Sequence, residues 1–221
     1  MRFAFISTMH AFQWGGSEEL WSQSATRLKG TGNDVLASVG YWPHLSDKVS
    51  VLAKRGIKLE THVSPQAGQA RRIWNKLSLS SRRGYDRLKR FNPDLAVISQ
   101  GHNSGGFGWA KTCREAGIPY VIIVHCNSEL WWFQEQIREA MASYTGARKI
   151  FSVSQSNLDL LRFQVGEPLP NAEVVRNPYN VRPERTATWP DEGAGWRLAC
   201  VARTSCPVTG SWPCRSPRPG R

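Results

Sequence analysis

Phe3-Ala4-Phe5-Ile6-Ser7-Thr8, followed by Gly15-Gly16-Ser17-Glu18-Glu19, is the stretch whose reading decides the fold of this chain. The first run is short, apolar and β-prone, as expected of a strand buried on both faces of a parallel sheet. The two glycines free the backbone for a turn. Ser17 predicts a helix N-cap, with Glu18 and Glu19 in the first turn, where the helix dipole favours carboxylates. Leu20, Trp21, Ala25 and Leu28 then recur at roughly helical spacing, and Gly30 and Gly32 close the segment. The order strand, glycine turn, helix puts Gly15 and Gly16 at the carboxyl edge of the first strand, where open α/β sheets bind ligands. The turn is not the dinucleotide fingerprint: several residues separate strand from glycines, no third glycine follows, and two carboxylates would compete with a phosphate for the same dipole.

Outward from this unit the chain keeps alternating. Strands are predicted at Asp34–Val39, Ile57–Val63, Pro93–Ser99, Pro119–Val124, Lys149–Val153 and Ala172–Val175. Between them fall a short helix capped by Ser46, a long basic helical region ending at Phe91 with a break expected near Ser78–Ser81 or Gly84, and a helix over Phe107–Ala116. A helix capped by Ser128 through Leu130, Phe133, Ile137, Met141 and Tyr144 follows, then one after Ser154. This alternation implies a doubly wound parallel α/β sheet. Three polar loops would gather at one sheet edge: Gly15–Ser17, Gln100–Gly106 with His102 and Asn103, and His125–Ser128. His125, directly at a strand end beside Asn127 and Ser128, is the leading candidate for chemistry.

A chain of 221 residues with 40% hydrophobic content can bury a full core. No apolar run approaches the length of a transmembrane helix, and the first residues lack the pattern of a signal peptide. The five cysteines, at 113, 126, 200, 206 and 214, have no metal spacing, which reads as reduced cytoplasmic thiols and no metal site. The net charge of +12 asks for an acidic partner. It concentrates between Arg71 and Arg90, where eight basic residues interleave with Ile73, Trp74, Leu77, Leu79 and Leu88. Such a stretch is either a solvated helix face packed on the sheet by its apolar side, or a peripheral contact with the anionic inner face of the membrane.

The set resembles the amino-terminal half of a GT-B glycosyltransferase, most closely the family 4 enzymes. The resemblance rests on Gly15-Gly16-Ser17-Glu18 after the first strand, His125 after the fifth, Val153-Ser154 opening a helix, and Val175-Arg176-Asn177-Pro178-Tyr179-Asn180, which is similar to the family's hinge pattern. Asn180 departs from the aspartate common there. Leu198-Ala199-Cys200-Val201-Ala202-Arg203 looks like the first strand of the second domain. The resemblance implies a Rossmann-like acceptor-side domain over residues 1–180, and a linker with the start of a donor domain over 181–203. It implies transfer of a sugar from a nucleotide-sugar to an acceptor with retention of configuration, and no required metal. Gly15 and Gly16 would lie beneath the donor phosphates, with Glu18, His102 and Asn103 beside the donor and acceptor. His125 would contact the donor sugar, and Arg203 the diphosphate.

After Arg203 the pattern stops. Residues 204–221 hold four prolines, two cysteines and three arginines, with hardly an aliphatic residue, and proline blocks the helix that should follow. The expectation is a disordered, out-of-frame tail, and so a truncated chain inactive in transfer. Two other classes stay open: a non-catalytic α/β binding domain, and a basic nucleic-acid-binding domain, for which no reading helix or stacking motif is found.

Overall fold

The computed structural model describes residues 1–9, 12–62, 74–178 and 193, and of residues 74–82 the backbone alone. The chain divides into a compact unit, Met1–Tyr179, and a second one, Asn180–Arg221, of which only Gly193 is described. The sequence-predicted strand at 197–202, Arg203 and the tail 204–221 therefore lie outside the described residues.

In chain order the elements are β1 (Arg2–Ser7), α1 (Gly16–Gly30), β2 (Asp34–Gly40), α2 (Asp47–Lys54), β3 (Lys58–His62), α3 (Trp74–Phe91), β4 (Leu95–Gln100), α4 (Phe107–Glu115), β5 (Tyr120–Val124), α5 (Ile137–Thr145), β6 (Lys149–Ser152), α6 (Gln155–Val165) and β7 (Ala172–Val174). All seven strands run parallel in one sheet of order β3-β2-β1-β4-β5-β6-β7. The doubly wound α/β sheet expected from the sequence is present, with its switch of direction between β1 and β4.

Neighbouring residues of a strand point to opposite faces, so each strand feeds two cores. On one face Ile6, Ile98, Ile122 and Ile150 pack with Leu88 of α3, Ala110 of α4, Tyr144 of α5 and Leu161 of α6. On the other, Phe5, Ala37, Val97 and Ile123 pack with Trp21 and Ala25 of α1 and with Val49 and Leu52 of α2. Burial on both faces is why the strands read as largely apolar runs.

Three local expectations are corrected. Ser17 is not the cap of α1: Gly15 holds that position, and the Ser17 hydroxyl turns inward to Glu18. Ser128 does not open a helix either. Its carbonyl accepts from Trp131 N at 3.0 Å and its hydroxyl from Leu130 N at 3.3 Å, closing a turn, and α5 begins only at Ile137. The region Ser78–Gly84 does not interrupt α3. Gly84 serves packing there, since a Cβ would come within 2.9 Å of Trp109 Cη2. Ser46 and Ser154 do cap α2 and α6, accepting from Val49 N and Asn157 N.

The described end of α3 directs Leu88 into the core, with Tyr85 and Phe91 packed against it. Arg83, Lys89 and Arg90 stay exposed, and Arg87 pairs with Glu60 at 3.8 Å. Arg71 and Arg72 lie outside the described residues. None of the described helices is long and apolar enough to cross a membrane.

Candidate functional site

The carboxyl edge of the sheet is built around the β1/β4 switch. Ser7 and Ser99 are register partners there, and Thr8 N donates to Ser99 O at 2.9 Å. The β4–α4 loop closes tightly over the end of β1. A Cβ on Gly105 would meet Thr8 Oγ1 at 2.5 Å, and one on Gly106, at φ +83, would meet Ile98 Cγ2 at 2.6 Å. Glycine is required at both positions, by contact at the first and by contact and backbone at the second. Gly15 and Gly16 differ: Gly15 is extended, and among the described residues nothing lies within 4 Å of a Cβ placed on Gly16.

Glu18 is 2% exposed, one turn into α1 and above the end of β1. Ser7 Oγ and Trp21 Nε1 donate to its Oε1 and Ser17 Oγ to its Oε2. Burial pushes its pKa above the ordinary carboxylate value, while the three donors pull the other way. Ser7 Oγ also accepts from Met9 N at 3.3 Å, so this carboxylate anchors the strand end and the loop leading to Gly15.

Across the switch, Ser99 Oγ lies 3.1 Å from His125 Nε2. His125 O accepts from Asn157 Nδ2 at 3.4 Å, tying the residue to α6. Burial lowers the pKa of His125 to about 4, with a smaller upward pull from the side chain of Asn177. The ring is neutral at pH 7. Glu18, Ser7, Ser99, His125 and Asn177 thus lie along the edge from α1 to the segment after β7.

The linkage has a definite sign. A histidine whose folded pKa is depressed stabilises the fold above its unfolded value and loses that contribution as pH falls, here from about 6.5 to about 4. Urea midpoints should therefore drop between neutral pH and pH about 4.5. His125→Gln should remove a measurable part of that drop; an unchanged slope would contradict the burial of the ring.

His102 and Asn103 belong to different surroundings. His102 is half-buried, with Nδ1 accepting from Ser104 N at 3.3 Å and its ring edge-on to Trp131, and burial lowers its pKa. Asn103 is 0% exposed. Its Nδ2 donates to Trp131 O and to Gln164 Oε1, both at 3.0 Å, and its carbonyl accepts from the Tyr144 hydroxyl. The same hydroxyl reaches Gln100 Oε1 at 3.0 Å, while Gln164 Nε2 donates to Ser128 O at 2.8 Å. This network binds the β4–α4 and β5–α5 loops together from beneath. The sequence expectation of Asn103 at a ligand surface meets a side chain wholly enclosed by protein.

Sequence reasoning missed Ser7, Ser99, Tyr144, Gln164 and the pull of the Asn177 side chain on His125. One signal was legible: a serine interrupts the apolar run near the carboxyl end of β1, β2, β4 and β6, at Ser7, Ser38, Ser99 and Ser152. Among the described residues, no three His, Cys, Asp or Glu side chains gather as metal ligands. Cys113 is buried in the core and its thiol is pushed up to about 12.

Fold and edge define a doubly wound α/β protein with its candidate site at the topological switch point. The family model of Glycosyltransferase Family 4 matches residues 14–182, and the chain belongs to that family. Its sheet is that of the amino-terminal half of a GT-B enzyme. Among solved structures it is similar to HepE of Anabaena in complex with UDP, with TM-score 0.55 and 16% identity, and in complex with UDP-glucose, with TM-score 0.57 and 17% identity. Each match covers 81% of this chain and 44% of HepE. A glycosyltransferase of Rickettsia africae aligns with TM-score 0.57 and 14% identity, over 83% of this chain and 47% of the other. The chain thus spans less than half the length of these structures. No curated protein matches it.

Proposed function

We propose that residues 1–180 form the acceptor-side domain of a retaining glycosyltransferase that takes its sugar from a nucleotide-sugar and requires no metal. The observation that carries this reading is the polar edge from Glu18 to His125 lying beside the start of α1, in a chain of glycosyltransferase family 4. The UDP and UDP-glucose held by HepE support a donor of that class.

Gly15 and Gly16 leave room for the donor phosphates to approach the first amides of α1, where the helix dipole favours negative charge. Glu18 holds that turn from below. His125, neutral and buried, contributes a hydrogen bond to the sugar or the departing oxygen rather than a charge. His102 borders the acceptor side, and Asn103 acts through the loop it secures. Arg203, in the second domain, would offset the negative charge developing on the leaving diphosphate.

Residues 204–221 are read as an out-of-frame tail. Resequencing from the codon of Trp196, with all three frames translated, tests this directly. A neighbouring frame that continues past Arg203 with a lysine-glycine pair and two glutamates eight apart supports it. The frame-restored protein should then transfer sugar, and His125→Ala should lower kcat/KM at least about tenfold. A restored protein that transfers to no lipid, glycan or small-molecule acceptor would overturn the enzyme reading.

The acceptor is proposed to lie at the inner face of the cytoplasmic membrane; the support is the exposure of Arg83, Lys89 and Arg90 on α3, although the apolar side of that helix is engaged in the core and not free to enter a bilayer. The chain should sediment with vesicles containing anionic lipid and not with neutral ones, less so as salt rises. Equal sedimentation with both kinds would remove the membrane from this reading.

A further inference from the structure

β3 ends the sheet on one side: β2 pairs with it, and among the described residues no strand lies beyond it. His62 O accepts from Tyr41 N at 2.9 Å, so His62 turns its backbone groups toward β2. These groups alternate along a strand. Those of Lys58 and Glu60 therefore face β2 as well, and those of Leu59 and Thr61 face outward. The side chains alternate too. Leu59 packs on the core formed with α1 and α2. Lys58 Nζ lies 5.5 Å from the centre of the Phe91 ring, and Glu60 lies 3.8 Å from Arg87, both on the side of α3. A hollow of about 430 Å³ borders the strand, lined by Leu45 and Val49 on one side and by Glu60 and Arg87 on the other. Leu45 is 42% exposed, and Lys58 is exposed as well.

We propose that the edge of β3 is a contact surface for a second copy of this chain, the two β3 strands pairing antiparallel about a two-fold axis at Leu59. Charge selects that register. An axis at Leu59 lets the two Leu59 residues exchange their outward N–H and C=O groups. It also puts Lys58 opposite the partner's Glu60, twice, in the close positions between those bonds. An axis at Lys58 or at Glu60 would set a charge directly against its own copy. On the opposite face Leu59 meets the partner's Leu59, beside Leu45 of each copy. A lysine on an open edge usually repels further strands. Here its alternation with Glu60 makes the edge complementary to itself. Both copies use the same patch, so the assembly closes at two, and β7 at the other end of the sheet takes no part. β2 stands between this edge and the β1/β4 switch, which leaves the candidate site free. The inference does not depend on sugar transfer.

Sedimentation velocity of the full chain over a rising concentration series tests this. The wild type should pass from the mass of one chain to that of two and no further. Lys58→Glu and Glu60→Lys should each weaken the association at least about tenfold, because either change sets like charges opposite each other at both pairs. Mixing the two variants in equal amounts should restore it. The Lys58→Glu chain then offers two acids to the two bases of the Glu60→Lys chain, and a misfolded chain would not regain binding in this way. Glu60→Lys also loses the Arg87 pair. Lys58 has no printed ion pair to lose and is exposed, so Lys58→Glu keeps the test open should the other variant fail to fold. A wild type that stays at the mass of one chain overturns the proposal, and that result needs no variant. Association that survives the charge reversals, that continues beyond two copies, or that the mixture does not restore from two folded variants overturns it equally.

Discussion

Glu18→Ala is expected to lower the unfolding free energy by about 3 kcal/mol or more, close to the limit a domain of ordinary stability tolerates. The side chain is 2% exposed and receives bonds from Ser7, Ser17 and Trp21. Removing it strands three buried donors and opens a void between α1 and β1. The two hydroxyls can turn elsewhere, but the indole N–H of Trp21, itself 0% exposed, cannot. Glu18→Gln keeps the volume and one acceptor oxygen and removes the buried charge, so its effect should be about 1 kcal/mol or less.

The pH dependence separates the two explanations of that difference. Because burial raises the folded pKa of Glu18 above its unfolded value, its contribution is fully present at low pH and declines as pH rises through the folded pKa. Glu18→Gln should remove this decline, so that stability rises more steeply with pH above about 4.5 than in the wild type, as well as being milder. Chemical denaturation of the three proteins at several pH values measures both effects. If the alanine and glutamine variants are equally unstable, the buried charge, and not the acceptor, is what the fold needs. If neither differs from wild type, Glu18 is the exposed dipole partner suggested by its position in a first helical turn.

That contrast marks where the sequence stops being legible. The alternation of strands and helices was readable because strands buried on both faces leave continuous apolar runs, and the Ser46 and Ser154 caps because capping is a local event. Ser17 satisfied the same local rule and went elsewhere, because a bond to a buried carboxylate competes with the helix N-terminus. The apolar period from Leu130 to Tyr144 predicts one helix. Its first half is instead a turn and a short 3-10 segment: Phe133 inserts into the core, Leu130 and Trp132 stay exposed, and Gln134 takes a positive φ of 43. Gly84 punctuates the sequence of α3 but not its structure, since the indole it accommodates comes from Trp109 on another helix. His125 could be singled out from its place at a strand end. Its partners Ser99 and Asn177, which lie 26 and 52 residues away, could not, since no local pattern encodes a contact made by sheet topology.

Asn103→Ala is expected to cost about 3 kcal/mol, and to do so without removing any surface a ligand could touch. Its side-chain amide joins Trp131 O of one loop to Gln164 of α6, and its own carbonyl receives the Tyr144 hydroxyl. Truncation leaves the Gln164 Oε1 acceptor buried and unserved. Tyr144→Phe is the milder control, at about 1–2 kcal/mol, because the ring still fills its place in the core and only the hydroxyl's bonds are lost. Amide hydrogen exchange distinguishes a securing role from a binding one. In Asn103→Ala, Ser104 and Gly105 of one loop and Trp131 of the other should lose protection together, while the amides of β1 and β2 exchange as before. Weaker ligand binding would then follow from the loosened edge. Unchanged protection, combined with a large loss of binding, would put the Asn103 side chain at the ligand itself and reverse the enclosed position described for it.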